Sequence, residues 1–531
     1  MGRTPLIRRL ILALQNARHE YLKEQQLPLP IPKELADTSR RRFIKTSTLA
    51  SLLGLSGGLT TNAFAIPTGF RSNVVIIGAG LAGLNAAYQL KQVGISADVY
   101  EARNRVGGRT FSKQIQNGLT VDIGAELINT DHADMLDLVA DFDIKLFNKL
   151  EDADSLPYPK EAFYFNGVSR TEAELADDLR AIAAQIAIDS ALLDEDWDTN
   201  APFFDQLSVA DYLELHADKI PKLYVKQLLH SMIHTEYGVE ANASSALQLI
   251  TILPVVNGQH VDLLSYSDEA FAVVGGSQQI AHAIANTLGK QVHLNKRLTT
   301  ISQADASYTL SFADGSVINA DYVIIAIPFP ALNTVTLNVK LPTRLKQFIE
   351  QGKLGSNEKV IAGFSNRFWR QDSGFTLAAW GVKGVSEIWD ETQRQPERND
   401  AALNFFLGGK QARELANVAN IDALAQQFTE RLDAFIPGAK TAFTGHVVKS
   451  SWTQSPYTQG GYANFKPGQL TRFSDYFWID SNNPDEQQQV NVGNLIFAGE
   501  HLSDAFYGFM NGAAETGRLA ANLVITQMAN S

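Results

Sequence analysis

The stretch Val74-Val75-Ile76-Ile77-Gly78-Ala79-Gly80-Leu81-Ala82-Gly83-Leu84 decides the fold of this chain. Its first four residues are β-branched, which predicts a strand buried on both faces, as in a parallel sheet. The next six fit G-x-G-x-x-G, in which Gly78 permits a tight turn, Gly80 lets a pyrophosphate approach the backbone, and Gly83 lets a helix pack closely. The free N–H groups at the start of that helix favour phosphate. The stretch predicts a dinucleotide site, with a βαβ unit that binds nothing as the alternative.

A second strand with an acid at its end supports this interpretation. Residues 97–100 predict a short strand, and Glu101 follows it directly. An acid at this place accepts hydrogen bonds from ribose hydroxyls in dinucleotide-binding βαβ units. These segments predict the α/β fold class, with a three-layer, Rossmann-like nucleotide-binding domain.

The first 65 residues have a charge opposite to that of the rest of the chain. They hold ten basic and four acidic residues, whereas the remainder holds 35 basic and 53 acidic residues. Ser39-Arg40-Arg41-Arg42-Phe43-Ile44-Lys45 resembles the twin-arginine export signal, and Ala63-Phe64-Ala65 fits a cleavage site after a glycine-broken apolar run. We expect the twin-arginine export machinery to recognise residues 1–65 and the signal to be cleaved, which would leave a periplasmic or secreted protein. Retention of the run as an anchor is the alternative.

Composition excludes several classes of function. The chain has no cysteine, so it has neither disulfides nor thiolate metal sites, and we predict no metal. The net charge of −12 argues against a nucleic-acid partner. The excess acid weakly favours cationic small molecules, although surface acids that only confer solubility are the alternative. After residue 65 we expect no segment that spans a membrane.

A loop with two adjacent glycines between arginines follows Glu101. It reads Ala102-Arg103-Asn104-Arg105-Val106-Gly107-Gly108-Arg109, and its guanidinium groups can neutralise a phosphate. Together with G-x-G-x-x-G, this pattern resembles the flavin-dependent amine oxidase family, which includes monoamine, polyamine and L-amino-acid oxidases. Residues 121–126 resemble the next family segment, which passes the flavin ring. The resemblance implies that FAD is bound by Gly78, Ala79, Gly80, Gly83, Glu101, Ala102, Arg103, Gly108 and Arg109.

The chain from residue 66 onward suits two interleaved domains. Helical patterns dominate from residue 131 to about 264, including 173–193 and 222–234, and β character returns with the hairpin signal Asp314-Gly315 and a strand over 322–327. We expect an FAD-binding domain from residues 66–130, 265–335 and 490–531. An α+β substrate domain of mixed sheet and helices is expected from 131–264 and 336–489. By the resemblance, Val292 contacts the adenine end of FAD through its backbone, with core packing as the alternative.

The segment from Lys353 to Phe364 bears on the mechanism. Residues 360–364 predict a strand, with Lys359 at its mouth. The segment and the following Asn-Arg-Phe-Trp resemble the family strand that carries a flavin-facing lysine. By that resemblance Lys359 holds a water against the flavin N5 and assists reoxidation by oxygen or imine hydrolysis. A solvated lysine at a strand end is the alternative.

The C-terminal quarter resembles the remaining family motifs. Residues 495–498 predict a strand, and the Gly499-Glu500 that follows resembles the second flavin motif, in which the acid binds the ribityl or pyrophosphate part of FAD. The helix predicted over 511–524 would point its positive end at the flavin. Gly461 stands where family members with covalent flavin carry cysteine, which predicts non-covalent FAD.

Aromatic residues of the same quarter match the family's substrate site. Residues 452–462 resemble the segment W-x-x-x-P-Y-x-x-G-x-Y, which includes Trp452. Tyr462 and Phe509 match the two parallel rings that hold the amine before the flavin, although Phe509 lacks a hydroxyl and its face attracts a cation less strongly. We predict that Phe509 contacts both the substrate and the cofactor. Ordinary aromatic packing between domains is the alternative.

One difference between this chain and the amino-acid oxidases of the family bears on the substrate class. Amino-acid oxidases of the family typically place an arginine soon after the segment equivalent to Gly124-Ala125, where this chain has Glu126. A simple amine or a polyamine is therefore favoured as the substrate. Glu126 would pair with a distal ammonium of a polyamine, and a loop-capping role for Glu126 is the alternative.

We predict an FAD-dependent amine oxidase that deaminates a primary amine or polyamine, with oxygen reduced to hydrogen peroxide. A single G-x-G-x-x-G motif favours oxygen over NAD(P). An L-amino-acid oxidase is the first alternative, and a flavin desaturase, isomerase or non-catalytic binding protein is the second. A homodimer is among the assemblies that the sequence allows.

Overall fold

Strands and helices make up most of residues 73–481 and 483–530, the part of the chain that the computed structural model describes. The predicted signal region, residues 1–65, lies outside the described residues. The strands, in chain order, are β1 (Val74–Ile77), β2 (Ala97–Tyr100), β3 (Ser112–Ile115), β4 (Leu119–Asp122), β5 (Leu127–Ile128), β6 (Leu146–Asn148), β7 (Glu161–Phe165), β8 (Val168–Arg170), β9 (Val255–Asn257), β10 (His260–Asp262), β11 (Phe271–Val273), β12 (Val292–His293), β13 (Leu298–Ala304), β14 (Ser307–Phe312), β15 (Val317–Ala320), β16 (Tyr322–Ile325), β17 (Thr336–Asn338), β18 (Lys353–Leu354), β19 (Asn357–Phe364), β20 (Ala378–Trp380), β21 (Glu387–Asp390), β22 (Ala401–Gly408), β23 (Phe443–Lys449), β24 (Ala463–Asn464), β25 (Asn491–Val492) and β26 (Leu495–Phe497).

The α-helices alternate with these strands. In chain order they are α1 (Leu81–Gln92), α2 (Ala133–Asp141), α3 (Lys149–Asp154), α4 (Glu172–Glu195), α5 (Trp197–Gln206), α6 (Val209–Leu215), α7 (Leu223–Tyr237), α8 (Ala246–Ile252), α9 (Gln278–Leu288), α10 (Phe329–Leu332), α11 (Thr343–Gln351), α12 (Gly409–Leu415), α13 (Ile421–Asp433), α14 (Ala439–Ala442), α15 (Gln469–Arg472) and α16 (Met510–Ala529). None of these described helices combines the length and the apolarity that a membrane crossing needs.

The sheet that contains β1 has six strands in the order β12-β2-β1-β16-β26-β25, and every neighbouring pair except β26 and β25 is parallel. Strand β1 lies inside the sheet and all four of its residues are buried, as its β-branched run predicts. Helix α1 packs on α16, where Asn85 Nδ2 donates to the carbonyl oxygen of Ala514 at 2.7 Å. The carboxyl ends of β1, β2, β16 and β26 therefore meet at one edge, where open parallel sheets bind ligands.

A second large sheet has seven strands in the order β23-β19-β22-β21-β20-β7-β8. Its neighbours are antiparallel except for β20 and β7. All residues of β19 and β22 are buried, because both faces of these central strands are covered. The register pairs Phe406 of β22 with Lys359 on one side and Glu387 on the other.

Helices α4 to α8 form a separate apolar cluster that includes Phe163 and Trp380 of the seven-stranded sheet. Helix α4 begins with a capping box, in which the Thr171 side chain accepts from the Glu174 N–H and the Glu174 side chain accepts from the Thr171 N–H. Smaller sheets complete the fold, with the orders β15-β14-β13-β17 and β5-β11-β6 and the pairs β3-β4, β9-β10 and β18-β24.

The predicted mixed α/β character is confirmed, and three local predictions need correction. The strand expected over 322–327 ends at Ile325. The Asp-Gly turn joins β14 to β15, a strand that was not predicted. Lys359 is not at a strand mouth but is the third residue of β19, because the strand begins at Asn357. The domain boundaries remain a prediction.

Candidate active site

One cavity runs from the carboxyl edge of the parallel sheet to the face of the seven-stranded sheet. Its walls enclose about 2080 Å³, including the part open to solvent. The glycine turn, Glu101 and residues 102–103 and 107–109 of the loop line one end, and Lys359, Tyr462 and Phe509 line the other, inner end. The cavity therefore brings most of the predicted cofactor and substrate residues into one site.

The glycine turn is closed against the sheet and open towards the cavity. A Cβ on Gly83 would overlap the carbonyl oxygen of Gly78, so α1 can start this close to β1 only with glycine there. A Cβ on Gly80 would meet nothing nearer than the Cα of Gly108, 4.0 Å away. Gly108 has φ +59° and faces Gly80 in return. The two facing glycines leave a cradle that side chains would fill, which suits a phosphate.

Glu101 orders the turn through both carboxylate oxygens. Oε2 accepts a hydrogen bond from the Ala79 N–H at 2.9 Å, and Oε1 accepts one from the Arg103 N–H at 2.8 Å. The Arg103 guanidinium donates to the Gly108 carbonyl at 3.0 Å and lies 5.1 Å from the centre of the Tyr457 ring. A carboxylate oxygen has more than one acceptor site, so Glu101 can still accept from a ribose hydroxyl.

Arg109 and Glu500 join the first and last cofactor motifs. Arg109 Nη1 lies 2.6 Å from Glu500 Oε1 and donates to the Gly461 carbonyl at the same distance. Glu500 Oε2 accepts from the Gly508 N–H at 2.7 Å, and Gly499 N–H donates to Thr516 Oγ1 of α16 at 2.9 Å. These contacts hold the loop before α16, and hence Phe509, at the cavity wall.

Three of the predicted cofactor residues, all of which the structure describes, do not line the cavity. Ala79 and Gly83 lie behind its surface, and Val292 lies on β12, where it pairs with Val99. Lys296 and Arg297, which follow β12, do line the wall. A contact from Val292 to the adenine remains a prediction.

His501 offers a further test of whether a polar cofactor fits. Its imidazole is 5% exposed and lines the cavity, and neither ring nitrogen has a hydrogen-bond partner among the described residues. Burial lowers the pKa of His501 to about 4, so the ring is neutral and can both donate and accept. Buried polar atoms without a protein partner suit a bound polar ligand, and together with the glycine cradle they fit FAD.

The predicted lysine sits in a buried ionic cluster at the inner end. Lys359 Nζ donates to Glu126 Oε2 at 2.7 Å, to the Asp122 carbonyl at 2.8 Å and to Glu391 Oε2 at 3.3 Å. Arg394 lies 2.9 Å from Glu126 and 3.1 Å from Asp122. All three ammonium protons thus have acceptors, and a water on Lys359 would first have to displace one of them, most readily Glu391.

The cluster keeps Lys359 and Glu126 charged. Burial alone would raise the pKa of Glu126, but Lys359 and Arg394 lower it to about 2. Burial alone would lower the pKa of Lys359, but Glu126 and Glu391 raise it above its ordinary value. Glu391 differs from Glu126, because burial and repulsion by Glu126 raise the pKa of Glu391 well above the usual range.

These contacts bear on the predicted role of Glu126. Its Oε1 accepts from Arg394, and its Oε2 accepts from both Lys359 and, at 3.2 Å, Trp389 Nε1. The carboxylate lines the cavity, but two cations already balance its charge. Pairing of Glu126 with a distal ammonium therefore has weaker support than the sequence alone provided.

The predicted aromatic residues all line the cavity. The Tyr462 hydroxyl donates to the Thr235 carbonyl, and Trp452 Nε1 donates to the Ile123 carbonyl at 2.8 Å. The Phe509 ring meets the edge of Tyr266 at 5.7 Å between centroids. Tyr462 and Trp452 are thus each oriented by a hydrogen bond, and Phe509 packs against Tyr266.

Several residues of the inner end escaped the sequence analysis. They are Glu236, Tyr266, Glu269, Glu387, Trp389, Glu391 and Arg394. The run Glu387-Ile-Trp-Asp-Glu-Thr-Gln-Arg carries four charges within a segment that is buried throughout, and charges in an otherwise apolar strand were the available signal.

Comparison with known proteins finds relatives among flavin-containing amine oxidases. The chain resembles flavin-containing amine oxidase B of Canis lupus familiaris, with 26% identity over 482 residues, or 86% of this chain and 87% of that protein. It resembles an amine oxidase of Danio rerio at 25% identity over 88% of this chain.

Solved structures share the fold. A putrescine oxidase bound to putrescine superposes with a TM-score of 0.70 at 23% identity, covering 86% of this chain and 99% of that one. Cyclohexylamine oxidase from Brevibacterium oxydans superposes with a TM-score of 0.70 at 24% identity, covering 87% and 100%. The family model for flavin containing amine oxidoreductase matches residues 81–525, and the chain therefore belongs to that family.

Proposed function

We propose that this chain is an FAD-dependent amine oxidase that converts a primary amine or a polyamine to the imine, with oxygen reduced to hydrogen peroxide. The observation that carries the proposal is the buried ammonium of Lys359, which lies in the same cavity as a dinucleotide-type glycine turn. When bound, FAD would supply the hydride-accepting and oxygen-reducing chemistry.

We propose a Rossmann-like, non-covalent mode of FAD binding. The parallel strands around β1, the facing glycines and the unpartnered nitrogens of His501 support it. The chain has no cysteine for a thioether, and Gly461 occupies the wall beside Arg109. The N-terminus of α16 follows Phe509 at the cavity, so its partial positive charge favours an anionic group there.

The residues of the inner end would bind and orient the amine. Tyr462 and Phe509 would confine it against aromatic rings, and its neutral form is the one that can be oxidised. Lys359, once one of its three acceptors is displaced, can present a proton donor to water for hydrolysis of the imine.

An L-amino-acid oxidase is less well supported. A substrate carboxylate needs a cation, but Lys359 and Arg394 are already paired with carboxylates. Glu236, Glu269 and Glu387 line the same end, and none of them offers a substrate carboxylate a positive partner. A desaturase or isomerase has no specific observation in its favour.

Anaerobic bleaching of the flavin tests the proposal. Purified protein is mixed without oxygen with a panel of primary amines, polyamines and L-amino acids, and flavin absorbance is followed. We expect bleaching by amines and peroxide formation once oxygen is admitted. Colourless protein that takes up no FAD, or flavin bleached by amino acids but not by amines, contradicts the proposal.

We also propose that the protein is exported by the twin-arginine route and is periplasmic or secreted. The motif Ser39–Lys45 and the small residues at 63–65 support this. Replacing Arg41 and Arg42 by lysine should leave the full-length protein in the cytoplasm, whereas wild-type protein should be recovered outside it with a new N-terminus near residue 66. Equal export of both would contradict this route.

A further inference from the structure

The buried cluster around Lys359 contains more acids than cations. Lys359 and Arg394 form salt bridges with Asp122, Glu126 and Glu391, and the five side chains are between 0% and 7% exposed. If all three acids were ionised, these five groups would carry one uncompensated negative charge in the interior. A buried charge without a partner is costly, so one acid of such a group holds a proton instead.

The next cation, Lys149, does not supply the missing charge. It acts on Glu126, but it acts on Glu269 and Glu387 as well. In the part of the chain that the structure describes, it forms no salt bridge with any acid of the cluster. The cluster therefore stores one proton.

The salt-bridge distances indicate which acid holds this proton. Glu126 lies 2.7 Å from Lys359 and 2.9 Å from Arg394. Asp122 lies 3.1 Å from Arg394. The contacts of Glu391 are longer, at 3.3 Å to Lys359 and 3.6 Å to Arg394. Since Glu391 receives the weakest compensation for a negative charge, the proton belongs to Glu391.

The hydrogen bonds agree with this assignment. Asp122 accepts from the hydroxyls of Ser112 and Ser277 and from the Ser277 N–H, and such donors stabilise a carboxylate. Glu391 Oε1 accepts from the Asp122 N–H at 2.5 Å, whereas Oε2 faces Lys359 Nζ. The proton of Glu391 is therefore assigned to Oε2.

Glu391 lies behind the surface of the cavity. It is fully buried and, unlike Lys359 and Glu126, does not line the cavity. Burial and repulsion by Glu126 raise the pKa of Glu391, which favours its protonated form. In this form Glu391 donates a hydrogen bond to Glu126. Its proton therefore reaches the cavity through the side chains that it contacts.

We propose that Glu391 is an internal proton donor: it replaces the proton that Lys359 gives up when oxygen is reduced. Glu391 acts through Lys359 and does not touch the reacting atoms. The inference rests on the proposed amine oxidase function and adds a residue to its oxygen-consuming step.

Oxygen takes up two electrons and two protons to become hydrogen peroxide. When bound, reduced FAD would supply both electrons and one proton. Lys359 supplies the other proton: an N–H bond at Nζ breaks and an O–H bond of the peroxide forms. The Oε2–H bond of Glu391 then breaks and Nζ regains its proton. Glu391 remains a carboxylate until solvent in the cavity restores its proton through Glu126.

Infrared spectroscopy tests where the proton lies. The holoenzyme and Glu391→Gln are compared in water and in D2O, and the carbonyl stretch of protonated carboxyl groups is followed. We expect the wild type to show a band that shifts in D2O and that Glu391→Gln lacks. This band reports the proton without turnover.

Stopped-flow kinetics test what the proton does. The rate of flavin reoxidation by oxygen is divided by the rate of anaerobic flavin reduction by the same amine. We expect Glu391→Gln to lower this ratio at least about tenfold, because proton transfer by a positioned group typically contributes about 10²- to 10⁴-fold. Glu391→Asp keeps an acid and should recover part of the loss.

A pH profile separates proton donation from a structural effect. The charged groups that act on Glu391 are Glu126, Lys359, Arg394 and Asp122. As the pH rises through the raised pKa of Glu391, its proton is lost, so the wild-type reoxidation rate should fall. Glu391→Gln has no such proton and should lack this decrease. If Glu391→Gln does not fold, the wild-type band and rate must still fall together, and a constant rate overturns the proposal.

The control is Glu515→Gln. Burial raises the pKa of Glu515 to about 8, so this variant also removes a protonated carboxyl group. Glu515 lies on α16 and does not line the cavity. We expect Glu515→Gln to lose an infrared band of its own and to keep the wild-type ratio of the two rates.

The outcomes separate two kinds of failure. Identical carboxyl bands in the wild type and Glu391→Gln, or an unchanged ratio of rates, overturn the proton donor and leave the amine oxidase function standing. If no amine bleaches the flavin, both fail. A lost band together with a lowered ratio that Glu515→Gln does not share supports the proton donor.

Discussion

Lys359 shows how a buried charge is kept at the residue scale. An ammonium in an apolar interior loses its proton unless acceptors compensate for its lost hydration. Here Glu126, Glu391 and one carbonyl surround the ammonium, and the pKa of Lys359 is raised rather than lowered. Burial and repulsion by Glu126 raise the pKa of the neighbouring Glu391, which favours its protonated form and limits the excess negative charge in the cluster.

We expect Lys359→Met to reduce turnover in the presence of oxygen about a hundredfold, because it removes the cation that faces the reacting end of the cavity. Peroxide formation with a good amine measures it. Lys353→Met is the matched control, because that lysine lies on β18 and is exposed. Equal turnover in both variants would assign Lys359 a structural role.

Within the same cluster we expect Arg394→Met to be far more harmful than Glu391→Gln. Removing Arg394 leaves Asp122 and Glu126 partly unbalanced in the interior, a change that typically costs about 3–5 kcal/mol of unfolding free energy. Burial raises the pKa of Glu391 and so favours its protonated form, which glutamine resembles in shape and charge. Chemical denaturation should give a lower free energy of unfolding for Arg394→Met than for Glu391→Gln. Similar losses of unfolding free energy in both variants would refute this distribution of charge.

The cluster around Lys359 shows which site residues could be predicted from the sequence and which could not. Lys359 and Glu126 stand in recognisable family segments and could be named in advance. Arg394 is 268 positions from Glu126, and no spacing or periodicity links the two. Partners of this kind become visible only when the register of β19, β22 and β21 is known.

At the scale of elements, the strand–turn–helix from β1 to α1 follows closely from local sequence. Its β-branched run, glycine spacing and buried helix face all favour the same structure, and the predicted strands at 74–77 and 97–100 agree with the observed bounds. Strand β15 was missed because it is only four residues long and its sequence, Val-Ile-Asn-Ala, shows no alternation of apolar and polar residues. Strand β19 begins before its apolar run, since Asn357, Glu358 and Lys359 are buried by tertiary contacts that sequence does not show.

Two glycines of the turn should respond differently to alanine. Gly83→Ala places a methyl group on the Gly78 carbonyl, so we expect loss of folded protein. Gly80→Ala has room in the protein and intrudes only on the cavity, so we expect a stable fold with FAD affinity lowered at least about tenfold. Thermal unfolding and FAD titration measure the two effects, and a Gly80→Ala protein with unchanged affinity would mean that the cradle holds no phosphate.

At the scale of the whole molecule, several buried acids set the pH dependence of stability. Burial raises the pKa of Glu161, Glu236 and Glu515 to about 8 in each case. Each group therefore favours its protonated form in the folded protein, while the unfolded chain ionises near the ordinary value of 4.5. Their contribution to stability is complete below that value and is lost as the pH rises through about 8.

Glu515 isolates this effect, because it lies on α16 away from the cavity wall, where its carboxyl accepts from Ser503. We expect the melting temperature of wild-type protein to fall between about pH 6 and about pH 9, and to fall less in Glu515→Gln, which remains uncharged. Thermal scans at both pH values provide the comparison. Parallel decreases in the two proteins would show that Glu515 does not titrate in this range.

The link between Arg109 and Glu500 constrains when the cofactor site can be complete during biosynthesis. The two residues are 391 positions apart in the chain, and strand β26 and helix α16 flank Glu500. A growing chain therefore cannot form the whole site until the segment around Glu500 has been synthesised. A carrier that moved the polypeptide unfolded would have to deliver FAD to the destination compartment as well.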